Sequence, residues 1–465
     1  VLAIVPLLTL GLPNILSVSL ANSRQGQTGL ASGNNMVYFP LAQTQGTRGG
    51  EPTPTTPPVK TAGGLFLTRD IASSGADIDV DAAGGIHVTY AGYVGYLTQP
   101  SPVYYGYCAP GADCFKTGHW KILSFGSTKE DYFVKSEIEL TAAGQPRLLM
   151  YNDYNGRMYS YAACDTNCGE PTNWKSTEVA KVQSNVDMDT FSYSYHTFEL
   201  DPQGRPRFLY EDHQGSTHNG LYYVFCDADC TNGQNWYEMN ISLGPDYDGD
   251  RVQTPDLKFT RQGQPRILTQ LYTRDERYPQ GLYYITCDQD CDDKANWQHT
   301  RLYDRGNGHA SWTLALNAND QPRVAFYQGE LENGAGDRLY YAWCNSDCAD
   351  TTKWDRTPIN IVEQNNGQSP SIALDSQGRP RIAIAIKEDQ GIGYLWCDNQ
   401  CEAAGAQWKA RNAESLDDLN KDFPRPAPYG CDVATWLGAR PQLALDAAGN
   451  PRIGYDGEYL IGNNF

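Results

Sequence analysis

DPQGRPRFLY (residues 201–210), followed by LYYVFCDADC (221–230) and Trp236, is one copy of a unit that recurs seven times between Asp77 and the C-terminus. A full copy reads as an alternating apolar strand, a turn close to D-x-x-G-x-P-R, a second strand ending near Tyr, a tyrosine-rich third strand, a cysteine pair and a Trp-led fourth strand. The turn glycines are Gly84, Gly144, Gly204, Gly263, Gly378 and Gly449, with Asp320 in the fifth copy, so successive steps are 60, 60, 59, 57, 58 and 71 residues. A period of this size built only from strands predicts propeller blades. The expected fold is all-β, a seven-bladed β-propeller of four-stranded blades over residues 64–465.

The first strand of each copy carries Ile78 and Val80, Ile138 and Leu140, Phe198 and Leu200, Leu257 and Phe259, Leu314 and Leu316, Ile372 and Leu374, then Leu443 and Leu445. Period two with one apolar face means strands, and short strands joined by tight turns exclude a helical solenoid. The turn glycine supplies positive φ, and the proline after it fixes the entry to strand two without an amide donor. Arg147, Arg207, Arg266, Arg323, Arg381 and Arg452 follow that proline, while the first copy has Gly85-Ile86-His87. An arginine at one symmetric position is expected in interblade salt bridges rather than in a substrate clamp. The seventh copy lacks the cysteine pair and the Trp-led strand. Gly64-Leu-Phe-Leu-Thr-Arg-Asp-Ile71 has strand character and is expected to pair with that last blade, closing the ring and removing an open edge.

With 465 residues, 40% of them apolar and 12% aromatic, the chain has ample material for one large packed domain. A formal net charge of −19 and no Lys/Arg run argue against a nucleic-acid backbone or an anionic membrane surface as partner. Val1 to Ser23 is uncharged and mostly aliphatic, and Ser19-Leu20-Ala21 fits a small-x-small cleavage site. Residues 1–23 read as a hydrophobic export signal or as a retained anchor helix, with Pro6, Pro13 and Asn14 weakening a regular span. Residues 24–63 read as a Gly/Ser/Thr/Pro-rich stalk, culminating in the proline cluster of residues 51–58. Met36-Val-Tyr-Phe-Pro-Leu41 is an apolar island within it, suited to docking as an edge strand on a neighbour or on its own domain.

Thirteen regularly spaced cysteines point to an oxidising compartment. Cys164/Cys168, Cys226/Cys230, Cys287/Cys291, Cys344/Cys348 and Cys397/Cys401 are C-x-x-x-C pairs, and Cys108/Cys114 is a longer version. Such spacing also suits zinc, but a four-sulfur site needs two pairs in one shell, and equivalent outer loops of adjacent blades radiate apart. Six local disulfides are expected. Cys431 is left over, in the insertion before the last copy.

On these residues the chain resembles secreted bacterial propellers of the broad sialidase-like (BNR-like) repeat group, in which a D-x-x-G-x-P hairpin precedes a tyrosine-rich strand and a close cysteine pair. The resemblance covers roughly Leu65 to Phe465 and implies a secreted propeller with a funnel-like central site, in a group that includes enzymes, lectins and scaffolds. The sialidase Asp box, S-x-D-x-G-x-x-W, is not matched by these turns, so no catalytic residue carries over.

In propellers the loops from strand two to strand three and from blade to blade gather at one mouth. Here those loops supply Asp153, Glu211, Asp212, His213, Arg274, Asp275, Glu330, Lys387, Glu388, Asp389 and Asp456, with His196 and His309 ahead of first strands. From these, Asp153, His196, Asp212, His213, Arg274, Asp275, His309, Glu330, Glu388 and Asp456 are the candidate ligand-binding residues. Paired carboxylates there suit glycosidic-bond chemistry if their separation fits. Asp246, Asp248 and Asp250 offer closely spaced oxygens for calcium, without the downstream Glu of an EF-hand loop. No other cofactor is expected, and no GxxxxGK[ST], HExxH or GxSxG motif occurs.

The leading expectation is an exported binding or structural module at the cell surface, partnered by other proteins or by its own copies through residues 1–41. The alternatives are a glycan-active hydrolase or lyase with its site at the central funnel, and a lectin. A deep pocket holding two carboxylates would favour the hydrolase and a plugged axis would oppose it. Burial of the six post-cysteine tryptophans would remove the simplest lectin.

Overall fold

A computed structural model describes residues 36–37, 67, 72–93, 101–126, 133–153, 157–182, 196–214, 218–243, 251–272, 280–304, 311–328, 338–360, 368–386, 391–403, 405–415, 435–437, 440–455 and 457–459. The expected export or anchor segment, most of the stalk, the calcium triplet Asp246/Asp248/Asp250 and Cys431 lie outside these residues. Among the described residues no helix is long and apolar enough to cross a membrane.

Six antiparallel four-stranded sheets follow one another in chain order, each with its strands in sequence order. The first comprises Ala72–Val80, Ile86–Tyr93, Val103–Cys108 and Trp120–Phe125. The first strands of the next five are Phe133–Leu140, Phe198–Leu200, Arg251–Phe259, Ser311–Leu316 and Gln368–Leu374. Each of these touches the first strand of the next blade, so the six line up side by side at the hub.

The blade count therefore differs from the sequence expectation: there are six four-stranded blades, not seven. Among the described residues the seventh copy forms a two-stranded hairpin, Gln442–Leu445 with Pro451–Gly454, and its next strand, Gly457–Tyr459, belongs to a separate sheet. Gln442–Leu445 contacts the first strands of both the first and the sixth blades. Of the segment expected to complete it, only Leu67 is described, buried among Ile78, Val88 and Trp120 with Ala444 alongside. A strand from the N-terminal side does pair near the C-terminus, but it is Met36–Val37, which joins Gly457–Tyr459 and through it Thr435–Leu437. Met36–Val37, the described part of the apolar island, thus pairs within its own chain.

Local chemistry explains why each copy folds alike. Gly204 has φ +75° and its N–H reaches the Asp201 carbonyl at 2.7 Å, while Asp201 Oδ1 accepts the N–H groups of Gln203 and Arg205 at 3.0 and 2.9 Å. Asp320, with φ +61°, takes the glycine's place in the fifth copy because Asp tolerates the left-handed region better than most residues. The arginines do not bridge blades as a class. Arg147 Nη1 donates to the Cys164 carbonyl at 2.9 Å and Nη2 to Asp165 at 2.7 Å, fastening strand two to the end of strand three within one blade. Arg266 repeats this with Cys287 and Asp288, and Arg381 with Cys397 and Asp398. Arg323 alone among these adds a partner on the next blade, Glu402 at 2.6 Å.

The cysteines join within each blade as Cys108–Cys114, Cys164–Cys168, Cys226–Cys230, Cys287–Cys291, Cys344–Cys348 and Cys397–Cys401, with Cα separations of 5.7 to 5.9 Å. The first cysteine of every pair is buried at the end of strand three, whereas the second lies in the loop beyond it. There Cys114 is buried and Cys168, Cys230, Cys291, Cys348 and Cys401 are half-buried. That second cysteine does two jobs in five of the blades, because its carbonyl also accepts the indole N–H of the following tryptophan. Trp120 donates to Cys114, Trp174 to Cys168, Trp236 to Cys230, Trp297 to Cys291 and Trp354 to Cys348, at 2.8 to 3.1 Å. Each indole from the second blade onward packs on a tyrosine of the blade before it. Tyr105–Trp174, Tyr161–Trp236, Tyr223–Trp297, Tyr284–Trp354 and Tyr341–Trp408 have centroid distances of 4.9 to 5.4 Å.

Candidate functional site

The hub is the part of the molecule that the repeat pattern describes least. Just before the apolar residue of each first strand stands a polar one: Asp77, Glu137, Thr197, Asp256, Thr313, Ser371 and Gln442. At five seams this side chain accepts an N–H from the next first strand. Ile138 N meets Asp77 Oδ2 at 2.8 Å, Phe198 N meets Glu137 Oε2 at 2.9 Å and Leu314 N meets Asp256 Oδ2 at 2.6 Å. Ile372 N meets Thr313 Oγ1 at 3.4 Å and Leu443 N meets Ser371 Oγ at 3.0 Å. Between the third and fourth blades the His196 carbonyl takes Leu257 N instead, at 2.8 Å. The edge of a first strand offers backbone donors with no ladder partner, and these acceptors satisfy them.

Two residues further along stand Asp79, Glu139, Glu199 and Lys258, then Ala315, Ala373 and Ala444. Lys258 Nζ pairs with Glu199 and also lies in the field of Glu139 and Asp256. Lys135 Nζ is 2.7 Å from Glu137 Oε1 and 3.0 Å from Thr197 Oγ1. Burial raises Asp79 and Asp256 to about 7, and burial with neighbouring carboxyls holds Asp77 and Glu139 well above the ordinary range. His196 is driven the other way, to about 3, by burial and by the charges of Lys258 and Lys135. Its neutral Nε2 lies 3.3 Å from Ser371 Oγ on the sixth blade, three places round the hub, so side chains span the axis at this level.

Above this plug, at the end where second strands finish and first strands begin, blades two and three break the symmetry. Asp153 follows the second strand of blade two. It accepts from Tyr151 Oη at 3.4 Å and lies 3.4 Å from Arg157 Nε, with burial raising its carboxyl against the pull of the arginine. Arg157 holds φ at +47°. Asp212 is buried in the second strand of blade three, and burial, with Asp153 and more weakly Asp212, raises the Tyr151 hydroxyl. At the position of Tyr151, blades one, three, four and six carry Ala91, Glu211, Gln270 and Ala385, and blade five repeats the tyrosine as Tyr327.

Of the expected ligand-binding residues, Asp153 lies against Tyr151 at the end of blade two's second strand, Asp212 is buried in the second strand of blade three, and His196 lies at the hub against Ser371. His213 lies in the strand Pro206–Gln214, its side chain not described. Arg274, Asp275, His309, Glu330, Glu388 and Asp456 lie outside the described residues. The paired cysteines stand apart from this mouth, in the outer loops of their own blades. With Cys114, Cys168, Cys291 and Cys348 each bonded to the cysteine that ends strand three, these sulfurs offer no thiolate to a metal. No group of three or more His, Cys, Asp or Glu side chains among the described residues is arranged to hold a metal ion. The hub carboxyls escaped the sequence reading because each sits inside a strand pattern already explained by its apolar neighbours. Their signal is the recurring pattern of Asp77-Ile-Asp79, Glu137-Ile-Glu139, Thr197-Phe-Glu199 and Asp256-Leu-Lys258.

Elsewhere, a groove of about 540 Å³ on the turn side of blade six is lined by Arg379, Asp398, Gln400 and Glu402. Its charges are already matched by Asp375, Arg381, Lys409 and Arg323. The tryptophans form no sugar platform: Trp120, Trp236, Trp297, Trp354 and Trp408 are buried and Trp174 half-buried.

No protein-family model and no curated protein matches the chain. Solved structures do. The chain is similar to the NanB sialidase from Streptococcus pneumoniae over 84% of its own length and 68% of that chain, at 11% identity and a TM-score of 0.42. An α-L-arabinanase from Penicillium chrysogenum matches over 82% of this chain and 99% of that one, at 11% identity and a TM-score of 0.40. A protein of unknown function from Dyadobacter fermentans matches over 85% and 97%, at 10% identity and a TM-score of 0.41.

Proposed function

We propose that this is an exported propeller that acts on glycans at the mouth over blades two and three. The observation that carries the reading is the asymmetric group of Asp153, Tyr151, Arg157 and Asp212 at that mouth. Asp153, its pKa raised by burial, is suited to hold and deliver a proton to a leaving oxygen, and Asp212 is the second carboxyl that such chemistry requires. Arg157 would anchor an acidic or hydroxyl-rich substrate group. Because the axis is spanned by His196 and Ser371, the substrate rests on the mouth instead of entering a channel. The six disulfides support an oxidising, extracellular setting.

The test is release of reducing ends or free sugar from a panel that includes sialosides and arabinans. Turnover lost by about 10²-fold or more in Asp153→Asn, with folding unchanged, is the expected result. A second reading, a surface binding or assembly module that closes its ring through the N-terminal segment and contacts partners through residues 1–41, is favoured by the His196–Ser371 contact across the axis. Glycan binding without turnover, or neither, in the wild-type protein selects that reading and removes the first.

A further inference from the structure

The hub holds more buried acid than base. Among the described residues, Asp77, Asp79, Glu137, Glu139, Glu199 and Asp256 face only Lys135 and Lys258, with His196 neutral, while the equivalent positions of the fifth to seventh copies supply Thr313, Ala315, Ser371, Ala373, Gln442 and Ala444. The acids that stitch neighbouring strands cannot turn to water without opening a seam. At Asp256 the consequence is visible: Oδ2 takes the Leu314 N–H at 2.6 Å, yet Oδ1 is fully buried with no hydrogen-bond partner. Lys258 and the Thr313 hydroxyl favour its charged form, but burial outweighs them. A bare oxygen of that kind is costly on a carboxylate and far less so on a neutral acid. The stitch itself does not need the charge, since Thr313 and Ser371 do the same work with hydroxyls.

We propose that the hub is a proton-loaded spindle: folding draws protons on to Asp77, Asp79, Glu139 and Asp256, and the propeller tightens in mildly acidic medium and loosens in alkaline medium. The sign comes from linkage. A carboxyl whose folded pKa lies above its unfolded value binds more proton in the folded state, so stability falls as pH rises from the unfolded value of about 4 through the folded value. Asp79 and Asp256, at about 7, place their share of the fall between about 4 and about 7, and Asp77 and Glu139, raised well above the ordinary range, add to it.

The experiment is thermal unfolding of the full chain from pH 5 to pH 8, with proton release on urea unfolding followed at pH 6. The expected results are a melting temperature lower by about 5 °C or more at pH 8 and release of about one to two protons per molecule. Asp79→Asn with Glu139→Gln should flatten the slope, whereas the exposed pair Glu178→Gln with Asp355→Asn should leave it unchanged. A flat or rising melting temperature, or no proton release from the wild-type protein, overturns the proposal. So does a pH 8 deficit that millimolar calcium abolishes, since a cation would then be the neutralising partner. None of these outcomes depends on whether glycans are turned over.

Discussion

Where the first four copies place Asp79, Glu139, Glu199 and Lys258 at the hub, the fifth to seventh place Ala315, Ala373 and Ala444, so one half of the axis is charged and long-armed and the other short and neutral. The halves depend on each other. Alanines leave room on their side, and the long groups converge, with Lys258 in the field of carboxyls from blades two, three and four. Both halves satisfy the same backbone donors, one with carboxyls and one with hydroxyls. The contrast separates what a seam requires, an acceptor at the right distance, from what the charged half adds.

The sharpest way to break the contrast is Lys258→Met, which strands Glu199 and its neighbours without a counter-ion. At pH 8 it should cost about 3 to 5 kcal/mol in urea unfolding, and clearly less at pH 5, where the carboxyls carry protons. Next in size, Cys397→Ser with Cys401→Ser removes a staple that has no charge dependence. A loss of about 2 kcal/mol, equal at both pH values, is expected. On the neutral half, Ser371→Ala leaves the Leu443 N–H without its acceptor and should cost about 1 kcal/mol, again without pH dependence. Thr313→Val should be milder, about 0.5 kcal/mol, because its oxygen meets Ile372 N only at 3.4 Å. If Ser371→Ala proved as costly and as pH-sensitive as Lys258→Met, the two halves would be one electrostatic unit.

Much of this architecture is legible in the chain. The D-x-x-G-x-P-R turn encodes a hairpin through local forces, so Gly204 and its counterparts betray the strands on either side. Cysteine pairs four residues apart fold back on themselves with little help from the rest of the molecule. The arginines mislead because spacing gives symmetry without direction: Arg147 turns back to Cys164 in its own sheet, not across to a neighbour. The blade count misleads because a turn and two apolar strands look the same whether or not outer strands come after them. At the mouth, Asp153 is found by its place after a second strand, whereas Asp212 falls inside the strand Pro206–Gln214, and how near the two come depends on how two blades abut. Such abutment is a long-range property that no short motif records.

The fastening of a wedge such as blade three is almost wholly internal: its sulfur bridge, its arginine tie and its indole-to-carbonyl bond all begin and end in the same sheet. What one wedge asks of the next is chiefly an acceptor and a tyrosine ring, with a few charged links such as Arg323–Glu402 and Lys258–Glu199 added. A gene segment duplicated in frame would therefore deliver a finished part, and lineages could vary the number of wedges without redesigning any of them.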